Sequence, residues 1–575
     1  MAEPVLSIRN LTVDIPTRHG LFKPVEGVSY DIRPGEIRGV VGESGAGKSM
    51  TGNAIIGLLD PPARIADGEV WLNGRRIDQM GAEEKRRIRG KEIGMIFQDP
   101  LTSLNPLFTV GEQLVETIQL HLGVSQSEAR KRAIALLDRV RIPNPEERFN
   151  QYPHQFSGGM RQRVVIALAL CSEPSVIVAD EPTTALDVSI QAQVLDLIKE
   201  LAQERQVGVI LVTHDMGVIA DTTDQVTVMY AGQVVEQGPT DQILGAPQHE
   251  YTKSLIAAVP RPQVKLHRFP QVSYGGRDTT FKIEDLARNW DRSGASKTGT
   301  LLEVSGLTKR FLSKGSVLPS RREYFTAVDD VSFGIKDGEV FGLVGESGSG
   351  KSTVARMIAT LYPVDAGTIT FDGDEMTAMD AAGLARYRRQ IQMIFQDPFS
   401  SLNPRMSVGD IVAEPLIHHK LLPRGEIAGR VRELLDRVGL ASDAHRKYPH
   451  EFSGGQRQRI SIARALATQP RFLICDEPTS ALDVSIQAQI LNILKDLQEY
   501  LGLTMLFISH DLPVVRQMCD RVGVMRQGKL VEVQETGALF ESPRSDYTKE
   551  LLNLMPRLEQ LSEDEIANLR AKETG

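Results

Sequence analysis

The sequence predicts an α/β protein made of two similar domains, each built on a mostly parallel sheet. Short apolar stretches alternate with longer amphipathic stretches, which is typical of buried strands whose two faces are covered by helices. The second half repeats the first, since Asp180 and Asp476 stand as far apart as His214 and His510. A glycine-rich turn between an apolar strand and a helix also occurs once in each half.

The repeat predicts where the domains begin and end. The first copy covers residues 1–262 and the second covers residues 301–575, with residues 263–300 between them. That segment contains a Gly-Gly pair, a Ser-Gly pair and scattered charges, which are typical of a linker. Residues 281–290 could form a short amphipathic helix, whose apolar residues we expect to fasten the linker to a domain. A docking role for Trp290 is the alternative.

Composition narrows the function classes. The chain has 575 residues, 41% of them hydrophobic and 24% charged, which is typical of a globular protein. Its net charge of −8 argues against nucleic-acid binding driven by overall charge. The sequence contains no apolar stretch of about 18 residues that could span a membrane, and it does not open with a secretory signal. We therefore expect a cytoplasmic protein whose membrane role, if any, comes through partners.

Each glycine-rich turn fits the pattern G-x-x-x-x-G-K-S, at residues 42–49 and 345–352. In such a loop, backbone N–H groups surround a β-phosphate, and the helix that follows turns its positive end toward it. The lysine would reach the β- and γ-phosphates, and the next serine would ligate Mg²⁺. A surface lysine after a structural turn is the alternative, and it does not explain two copies. The candidate nucleotide-binding residues are Gly42, Ser44, Gly45, Gly47, Lys48, Ser49 and Met50, with Gly345, Ser347, Gly348, Gly350, Lys351, Ser352 and Thr353.

Two adjacent carboxylates follow an apolar strand in each half. A carboxylate at the end of such a strand lies beside the phosphate loop, where Asp180 and Asp476 can hold Mg²⁺. The next acid, Glu181 or Glu477, is placed to polarise the water that attacks the γ-phosphate. Alternatively, the adjacent acids before Pro182 or Pro478 cap the turn that follows, but that interpretation does not explain their recurrence in register with two phosphate loops.

In each half, a glutamine and a histidine complete the predicted catalytic and metal-binding residues. Gln98 and Gln396 end their strands within reach of the same metal, and a carboxamide can ligate Mg²⁺ without adding charge. His214 and His510 follow the last strand of each half and can donate a hydrogen bond to the γ-phosphate. The candidate catalytic residues are therefore Glu181, Glu477, His214 and His510. The candidate metal ligands are Ser49, Gln98, Asp180, Ser352, Gln396 and Asp476.

The most specific motif is Phe-Ser-Gly-Gly-Met at residues 156–160, repeated as Phe-Ser-Gly-Gly-Gln at residues 452–456. Here the chain resembles the ABC ATPases, whose signature is an LSGGQ-type sequence. A serine and two glycines at a helix N-terminus form a second anion site. The resemblance covers both halves in the same motif order. It adds Ser157, Gly158 and Gly159, and Ser453, Gly454, Gly455 and Gln456, to the nucleotide-binding residues.

The resemblance implies two P-loop NTPase domains of ABC type, each with an antiparallel β part and a helical subdomain beside the parallel core. It also implies that each signature covers the ATP held by the other domain. Lys48 and Ser453 would then share one ATP, and Lys351 and Ser157 the other. ATP binding would close the pair and hydrolysis would open it. Because both halves keep the glutamate and the histidine, we expect two competent sites.

The residue that stacks on adenine is less evident. Phe311 occupies the usual aromatic position of the family in the second half, whereas Ile15 stands at its equivalent in the first. Phe22 is the candidate substitute there.

Further segments resemble one branch of the family. The Ser-Leu-Asn-Pro segments at residues 99–106 and 397–404, and the domain ends at residues 247–255 and 543–551, resemble the dipeptide, oligopeptide and nickel importers. An insertion around residues 312–324 resembles a feature of the second ATPase subunit of that branch, so the chain resembles a fusion of two unlike subunits.

The branch implies partners and a location. Two transmembrane permease subunits would rest on the ATPases, and an extracytoplasmic solute-binding protein would deliver the cargo. The chain would lie on the cytoplasmic face of the cell membrane, with residues 99–106 and the helices around residues 125–141 gripping a permease segment. Peptides are the favoured cargo, and opines, antibiotic-like peptides, glutathione and nickel chelates stay open. A soluble tandem ABC ATPase acting on ribosomes or nucleic acid is the alternative function.

Overall fold

A computed structural model describes residues 3–18, 20–183, 186–261, 265–271, 281, 283–290, 299–314, 323–480 and 482–555. The chain divides into two compact units, Met1–Val259 and Pro260–Met555. The boundaries inferred from the repeat, with a linker at residues 263–300, stay a prediction. Most of the insertion around residues 312–324 lies outside the described residues.

The first unit is an α/β unit with strands and helices in the predicted alternation. In chain order its elements are β1 (Leu6–Thr17), β2 (Gly20–Ile32), β3 (Ile37–Val41), α1 (Lys48–Ile56), β4 (Arg64–Leu72), β5 (Arg75–Arg76), α2 (Ala82–Ile88), β6 (Ile93–Ile96), α3 (Pro100–Ser103), α4 (Val110–Leu122), α5 (Gln126–Arg139), α6 (Pro145–Arg148), α7 (Gly158–Leu170), β7 (Val176–Asp180), α8 (Val188–Arg205), β8 (Gly208–Val212), α9 (Met216–Thr222), β9 (Gln225–Tyr230), β10 (Gln233–Pro239), α10 (Thr240–Gly245) and α11 (Glu250–Ala257).

Two kinds of sheet form in this unit. Strands β2, β1, β4 and β5 pair in that order, and all their pairings are antiparallel. Strands β10, β9, β3, β8, β7 and β6 form the other sheet, which is parallel except for the β9–β10 pair. The carboxyl ends of β3, β6, β7 and β8 therefore meet at one edge, where a ligand site is expected in a parallel sheet.

The strands of the parallel sheet are apolar throughout because both faces are covered. In β7, Val176 and Val178 join the core shared with the antiparallel sheet, whereas Ile177 and Ala179 join the core shared with the helices. Alternate residues of a strand point to opposite faces, so a strand buried on both sides has no polar positions. The uninterrupted apolar runs of the sequence follow from this packing.

The helical part begins after β6. Thr109 caps α4, accepting a hydrogen bond from the Glu112 N–H at 3.2 Å while the Glu112 carboxylate accepts from the Thr109 N–H at 2.7 Å. Ser125 caps α5 by accepting from the Glu128 N–H at 3.3 Å. Such caps fix where the helices begin, and each is typically worth about 1 kcal/mol.

The second unit repeats the first. In chain order its elements are β11 (Thr300–Lys314), β12 (Glu323–Lys336), β13 (Val340–Val344), α12 (Lys351–Ile358), β14 (Ala366–Phe371), β15 (Asp374–Glu375), α13 (Ala381–Gln390), β16 (Ile391–Ile394), α14 (Pro398–Ser401), α15 (Val408–His418), α16 (Arg424–Arg437), α17 (Gly454–Leu466), β17 (Phe472–Asp476), α18 (Val484–Leu501), β18 (Thr504–Ile508), α19 (Leu512–Met518), β19 (Arg521–Arg526), β20 (Lys529–Glu535), α20 (Thr536–Glu541) and α21 (Asp546–Asn553). Its sheets have the orders β12-β11-β14-β15 and β16-β17-β18-β13-β19-β20.

These units confirm the predicted fold class, an α/β fold in tandem with a mostly parallel core, an antiparallel β part and a helical part. In the described part of the chain, no helix is both long enough and apolar enough to cross a membrane.

The second unit also includes a strap, which we define as residues 265–271, 281 and 283–290. Its buried side chains Phe269, Ile283, Leu286 and Trp290 belong to the same core as α15 to α18. The Asn492 side chain on α18 hydrogen-bonds to both backbone groups of Phe269. It accepts from the N–H at 2.8 Å and donates to the C=O at 2.9 Å. The described part of the predicted linker is thus packed against the second unit, as expected for a fastening role.

Candidate active sites

The two phosphate loops have the same backbone form. Gly47, directly before α1, has φ of 96°, and a Cβ there would lie 2.3 Å from the Pro24 carbonyl oxygen. Only glycine permits both that conformation and that approach. At the exposed tip, Gly45 has φ of 83° and open space where a Cβ would project. Gly348 and Gly350 repeat these features in the second loop.

Each loop lysine is buried and held inside its loop. The Lys48 ammonium donates to the carbonyls of Gly42 at 2.8 Å and Glu43 at 3.1 Å. Lys351 donates to Gly345 at 2.7 Å and Glu346 at 2.9 Å. The loop carbonyls therefore fix a positive charge within the ring of backbone N–H groups, where a phosphate would meet it. The other predicted residues of the loops lie at the tips and in the first turns of α1 and α12: Ser44, Ser347, Met50 and Thr353.

The serine after each lysine meets the first of the two strand-end carboxylates. Ser49 Oγ donates to Asp180 Oδ1 at 2.9 Å, and Ser352 Oγ donates to Asp476 Oδ1 at 2.9 Å. Burial raises the pKa of Asp180 and Asp476, with a contribution from the adjacent glutamate, while the serine hydrogen bond opposes the rise. Hydroxyl and carboxylate oxygens brought together in this way fit Mg²⁺, which prefers oxygen ligands.

The second carboxylate is held between the glutamine and the histidine. Gln98 Nε2 donates to Glu181 Oε2 at 2.8 Å, and His214 Nδ1 lies 3.1 Å from Glu181 Oε1. In the second unit Gln396 Nε2 donates to Glu477 Oε2 at 2.8 Å, and His510 Nδ1 lies 3.1 Å from the same oxygen. The sequence placed these glutamines near the metal, and the structure shows their amide nitrogens on the glutamates.

In the second unit, Glu477 and His510 each favour the charged form of the other. Burial disfavours ionised Glu477, but the hydrogen bond from His510 and the positive charges of His510 and Lys351 outweigh it, so its pKa is lowered. Burial likewise disfavours protonated His510, but the contact with Glu477 outweighs it, so the pKa of His510 is raised. A glutamate kept ionised in this way can act as a proton acceptor.

The signature serines cap the helices that follow them. Ser157 Oγ accepts from the Met160 N–H at 3.4 Å at the start of α7, and Ser453 Oγ accepts from the Gln456 N–H at 3.4 Å at the start of α17. Gln456 Oε1 also accepts from the Ser453 N–H at 3.1 Å, a contact that Met160 cannot make. Both helices present their N-terminal ends at the surface, including Gly158 and Gly454.

The second glycine of each signature serves packing. A Cβ at Gly159 would lie 2.5 Å from Ile190 Cγ2 on α8, and one at Gly455 would lie 2.2 Å from Ile486 Cγ2 on α18. The signature helix therefore approaches the next helix too closely for any side chain.

An aromatic residue lies at the candidate adenine position of each unit. The half-buried Phe311 ring makes an edge contact with Tyr362, with centroids 5.5 Å apart. In the first unit Phe22 is directly opposite Ile15 across the β1–β2 pair and is 57% exposed. Phe325 is opposite Phe311 in the same way and is 58% exposed, a counterpart that the sequence analysis missed.

Sequence reasoning also missed two tyrosines that support the phosphate loops. The hydroxyl oxygen of the buried Tyr251 on α11 accepts from the Glu43 N–H at 3.0 Å. The hydroxyl oxygen of Tyr547 on α21 accepts from the Glu346 N–H at 3.2 Å. Both belong to the repeated Tyr-Thr-Lys segments at the domain ends, so the recurrence itself was the available signal.

Two family models match the chain, each of them twice. A model described as ABC transporter matches residues 25–184 and 328–480. A model described as the C-terminal region of oligopeptide/dipeptide transporters matches residues 235–278 and 531–574. The second match covers the elements that carry Tyr251 and Tyr547.

Curated relatives match nearly the whole chain. The glutathione import ATP-binding protein GsiA of Shigella boydii serotype 4 is 46% identical over 561 residues, which cover 96% of this chain and 89% of the relative. GsiA of Escherichia coli strain K12 has the same identity and coverage. A solved dimeric ATP-binding cassette with bound ADP and Pi is 30% identical, with a TM-score of 0.37, over 41% of this chain and 99% of that chain.

These relatives support the importer function that the motifs predicted, and they do not support the ribosome or nucleic-acid alternative. The repeated phosphate loops, signatures and strand-end carboxylates occur within the matched ranges. The chain therefore belongs to the ABC transporter family, as an ATP-hydrolysing subunit of its oligopeptide and dipeptide importer branch.

Proposed function

We propose that this chain hydrolyses ATP at two sites to drive the uptake of a small peptide through partner permease subunits. The observation that carries the proposal is the Gln–Glu–His contact set, which occurs in both units. Its three members follow the carboxyl ends of parallel strands, which are β6, β7 and β8 in the first unit and β16, β17 and β18 in the second. The 46% identity to glutathione import ATP-binding proteins over 96% of the chain supports the direction of transport.

The residues at each site fit ATP with Mg²⁺. Backbone N–H groups and Lys48 would hold the β- and γ-phosphates, while Ser49 and Asp180 would hold the ion, together with the amide oxygen of Gln98. The bound ion neutralises charge that develops on the phosphates. In the second unit Lys351, Ser352, Asp476 and Gln396 would have the same roles.

The glutamate acts on the attacking water. Glu181 and Glu477 would accept a proton from a water aligned with the γ-phosphate, because a glutamine and a histidine hold each carboxylate in place. His214 and His510 hold that carboxylate in place and would donate to the γ-phosphate when nucleotide is bound.

Each ATP would be completed by the signature of the other unit. Lys48 and Ser453 would share one nucleotide, and Lys351 and Ser157 the other. The exposed N-termini of α7 and α17 support this role, since a helix N-terminus favours an anion such as the γ-phosphate. Phe311 in one site and Phe22 in the other would stack on adenine.

The remaining components lie in other chains. Two transmembrane permease subunits would receive the chain on the cytoplasmic face of the membrane, and an extracytoplasmic binding protein would deliver the cargo. Among peptides, glutathione is the specific candidate because the relatives carry it in their names.

Reconstitution tests the proposal. The full chain, co-expressed with its candidate permeases and binding protein, is expected to support uptake of labelled glutathione into vesicles only when ATP is present on the side of this chain. A vesicle preparation carrying Glu181→Gln and Glu477→Gln together serves as the control. Uptake of other short peptides but not of glutathione would show that the cargo is a different peptide. ATP turnover unaffected by the permeases would overturn the import role.

A further inference from the structure

One peptide group in each phosphate loop connects the loop lysine to a residue outside the loop. In the first unit this is the peptide between Gly42 and Glu43, whose C=O accepts from the Lys48 ammonium at 2.8 Å. The N–H of the same peptide donates to the hydroxyl oxygen of Tyr251 at 3.0 Å. Because a peptide group is planar and rigid, the tyrosine that holds its N–H also fixes the direction of its C=O. The hydroxyl therefore controls where the lysine is held.

The second unit has the same arrangement. The Gly345 C=O accepts from Lys351 at 2.7 Å, and the Glu346 N–H donates to the Tyr547 hydroxyl oxygen at 3.2 Å. Gly345 has φ of 144°, and a glycine restricts the peptide that follows it less than any other residue would. The loop backbone by itself leaves this peptide free to turn, so a hydrogen bond from outside the loop can decide its orientation.

Each tyrosine ring is buried and lies against the residue that ends a strand of the parallel sheet. The Tyr251 ring contacts Tyr230 at the end of β9, with centroids 4.6 Å apart. The Tyr547 ring contacts Arg526 at the end of β19, whose guanidinium carbon is 4.5 Å from the ring centroid. An aromatic contact in one unit and a cation–π contact in the other thus hold the ring. This packing restricts each hydroxyl to one place beside its loop.

A carboxylate on β10 and another on β20 hold the helices that carry the tyrosines. Glu236 accepts from the N–H groups of the two residues before α11, at 2.7 and 3.1 Å. Glu532 accepts from those of the two residues before α21, at 2.8 and 3.0 Å. Burial disfavours ionised Glu532, but the hydrogen bonds from Thr548 and from these N–H groups outweigh it, so its pKa is lowered. An ionised carboxylate therefore fixes the start of the tyrosine helix.

We propose that Tyr251 and Tyr547 are positioning residues for ATP: each hydroxyl fixes the peptide that holds the loop lysine, and so sets the nucleotide affinity of its own unit. This rests on the proposed roles of the phosphate loops. Without the hydroxyl the peptide can turn, and ATP binding has to restore the loop. Each tyrosine and its supporting glutamate lie in the range matched by the C-terminal family model, so that region acts on ATP binding as well as on folding.

Single-site chains test each tyrosine separately. Lys351→Ala leaves the first loop to bind ATP, and equilibrium dialysis with labelled ATP measures its Kd. In this chain Tyr251→Phe should raise the Kd about tenfold, because a loop donor loses its partner and the loop must be reordered on binding. Tyr547→Phe, beside the disabled loop, should leave the Kd unchanged. In Lys48→Ala the two tyrosine changes should exchange their effects.

Further changes separate positioning from stability. Tyr387→Phe removes another buried tyrosine hydrogen bond, to the Ile358 carbonyl at 2.7 Å, and should lower the melting temperature without changing either Kd. Glu236→Gln should raise the Kd of the first site alone, by less than Tyr251→Phe does. With both loops intact, the two tyrosine changes together should raise KM for ATP about tenfold and keep kcat within about twofold. That split is expected when an interaction common to the ground and transition states is lost.

The outcomes separate this proposal from the one on which it rests. If Lys48→Ala with Lys351→Ala still binds ATP, the proposed roles of the phosphate loops fail. If that chain binds none and each single-site chain binds one ATP, but the tyrosine changes leave the Kd values unaltered, the positioning role is overturned. Equal increases from Tyr251→Phe and Tyr547→Phe within one single-site chain would overturn it as well, because neither hydroxyl would then act on its own loop.

Discussion

At the residue scale, Glu181 and Glu477 both have φ of 47°, a left-handed conformation that an L-residue adopts at a cost of about 1–2 kcal/mol. Their N–H groups donate to Val212 and Ile508 at 2.9 and 3.0 Å, and their side chains are held by a glutamine and a histidine. Strain that recurs in both copies is typical of a functional site.

Replacing both glutamates by glutamine should stop turnover without preventing nucleotide binding. Glu181→Gln with Glu477→Gln keeps the shape but removes the proton acceptor, so ATPase activity should fall by about 10²–10⁴-fold. ATP binding, measured by equilibrium dialysis, should persist. Glu250→Gln on the exposed start of α11 is the control, and full turnover in the double variant would contradict the assignment.

The His510–Glu477 pair should give stability a defined pH dependence. Because the pKa of His510 is raised in the folded chain, its contribution is complete below its unfolded pKa and is lost as pH rises through the folded value. Because the pKa of Glu477 is lowered, its contribution is lost as pH falls through that value.

Thermal unfolding, measured from below the pKa of Glu477 to above the pKa of His510, tests this pH dependence of stability. The wild-type chain should lose stability on the alkaline side more steeply than His510→Gln, which has no proton to release there. His450→Gln, on the exposed surface, should retain the wild-type slope. A slope that His510→Gln leaves unchanged would show that the pair does not titrate as inferred.

At the scale of elements, the contact between the signature helix and the next long helix depends on one glycine. In Gly455→Ala the new methyl group would lie 2.2 Å from Ile486, so α17 or α18 must shift. Overpacking of this kind typically costs about 1–3 kcal/mol. Gly454→Ala is the matched control, since its Cβ would meet Leu482 at an ordinary 3.5 Å. Urea unfolding compares the two, and equal stability would contradict the packing role.

The strap offers a comparison between the two units. Asn492→Ala would leave the buried N–H and C=O of Phe269 unpaired, at a cost of about 1–3 kcal/mol. Asp196 occupies the same position on α8 but is exposed, so Asp196→Ala should change stability by no more than about 0.5 kcal/mol. Calorimetry of the full chain measures both. Equal effects would mean that the strap adds nothing to the second unit.

At the scale of the whole molecule, the repeat joins two units with one topology and different surfaces. The catalytic contacts agree between them to within about a tenth of an ångström in the glutamine and histidine distances. The strap packs against Asn492 of the second unit, whereas the first unit has the exposed Asp196 at the corresponding position.

The proposal that each ATP is completed by the signature of the other unit predicts which pairs of changes act on the same nucleotide. In a chain carrying both glutamate-to-glutamine changes, Lys48→Ala with Ser453→Arg should affect one site and leave one tightly bound ATP per chain. Lys48→Ala with Ser157→Arg should affect both sites and leave none, because each change then falls at a different site, whereas two changes at a common site do not add. Filter binding of labelled ATP measures the number retained. The reverse outcome would assign each signature to its own unit.

Sequence patterns alone predicted the fold class, the repeat and most of the candidate site residues. Phosphate loops, strand-end acids and signatures are local patterns, because backbone chemistry and strand period fix them over a few residues. Other contacts appear only once the chain is folded: Tyr251 accepts a hydrogen bond from the Glu43 N–H, Gln98 donates to Glu181, and the strap packs against α18. Those contacts join residues far apart in the chain, and they depend on how whole elements pack.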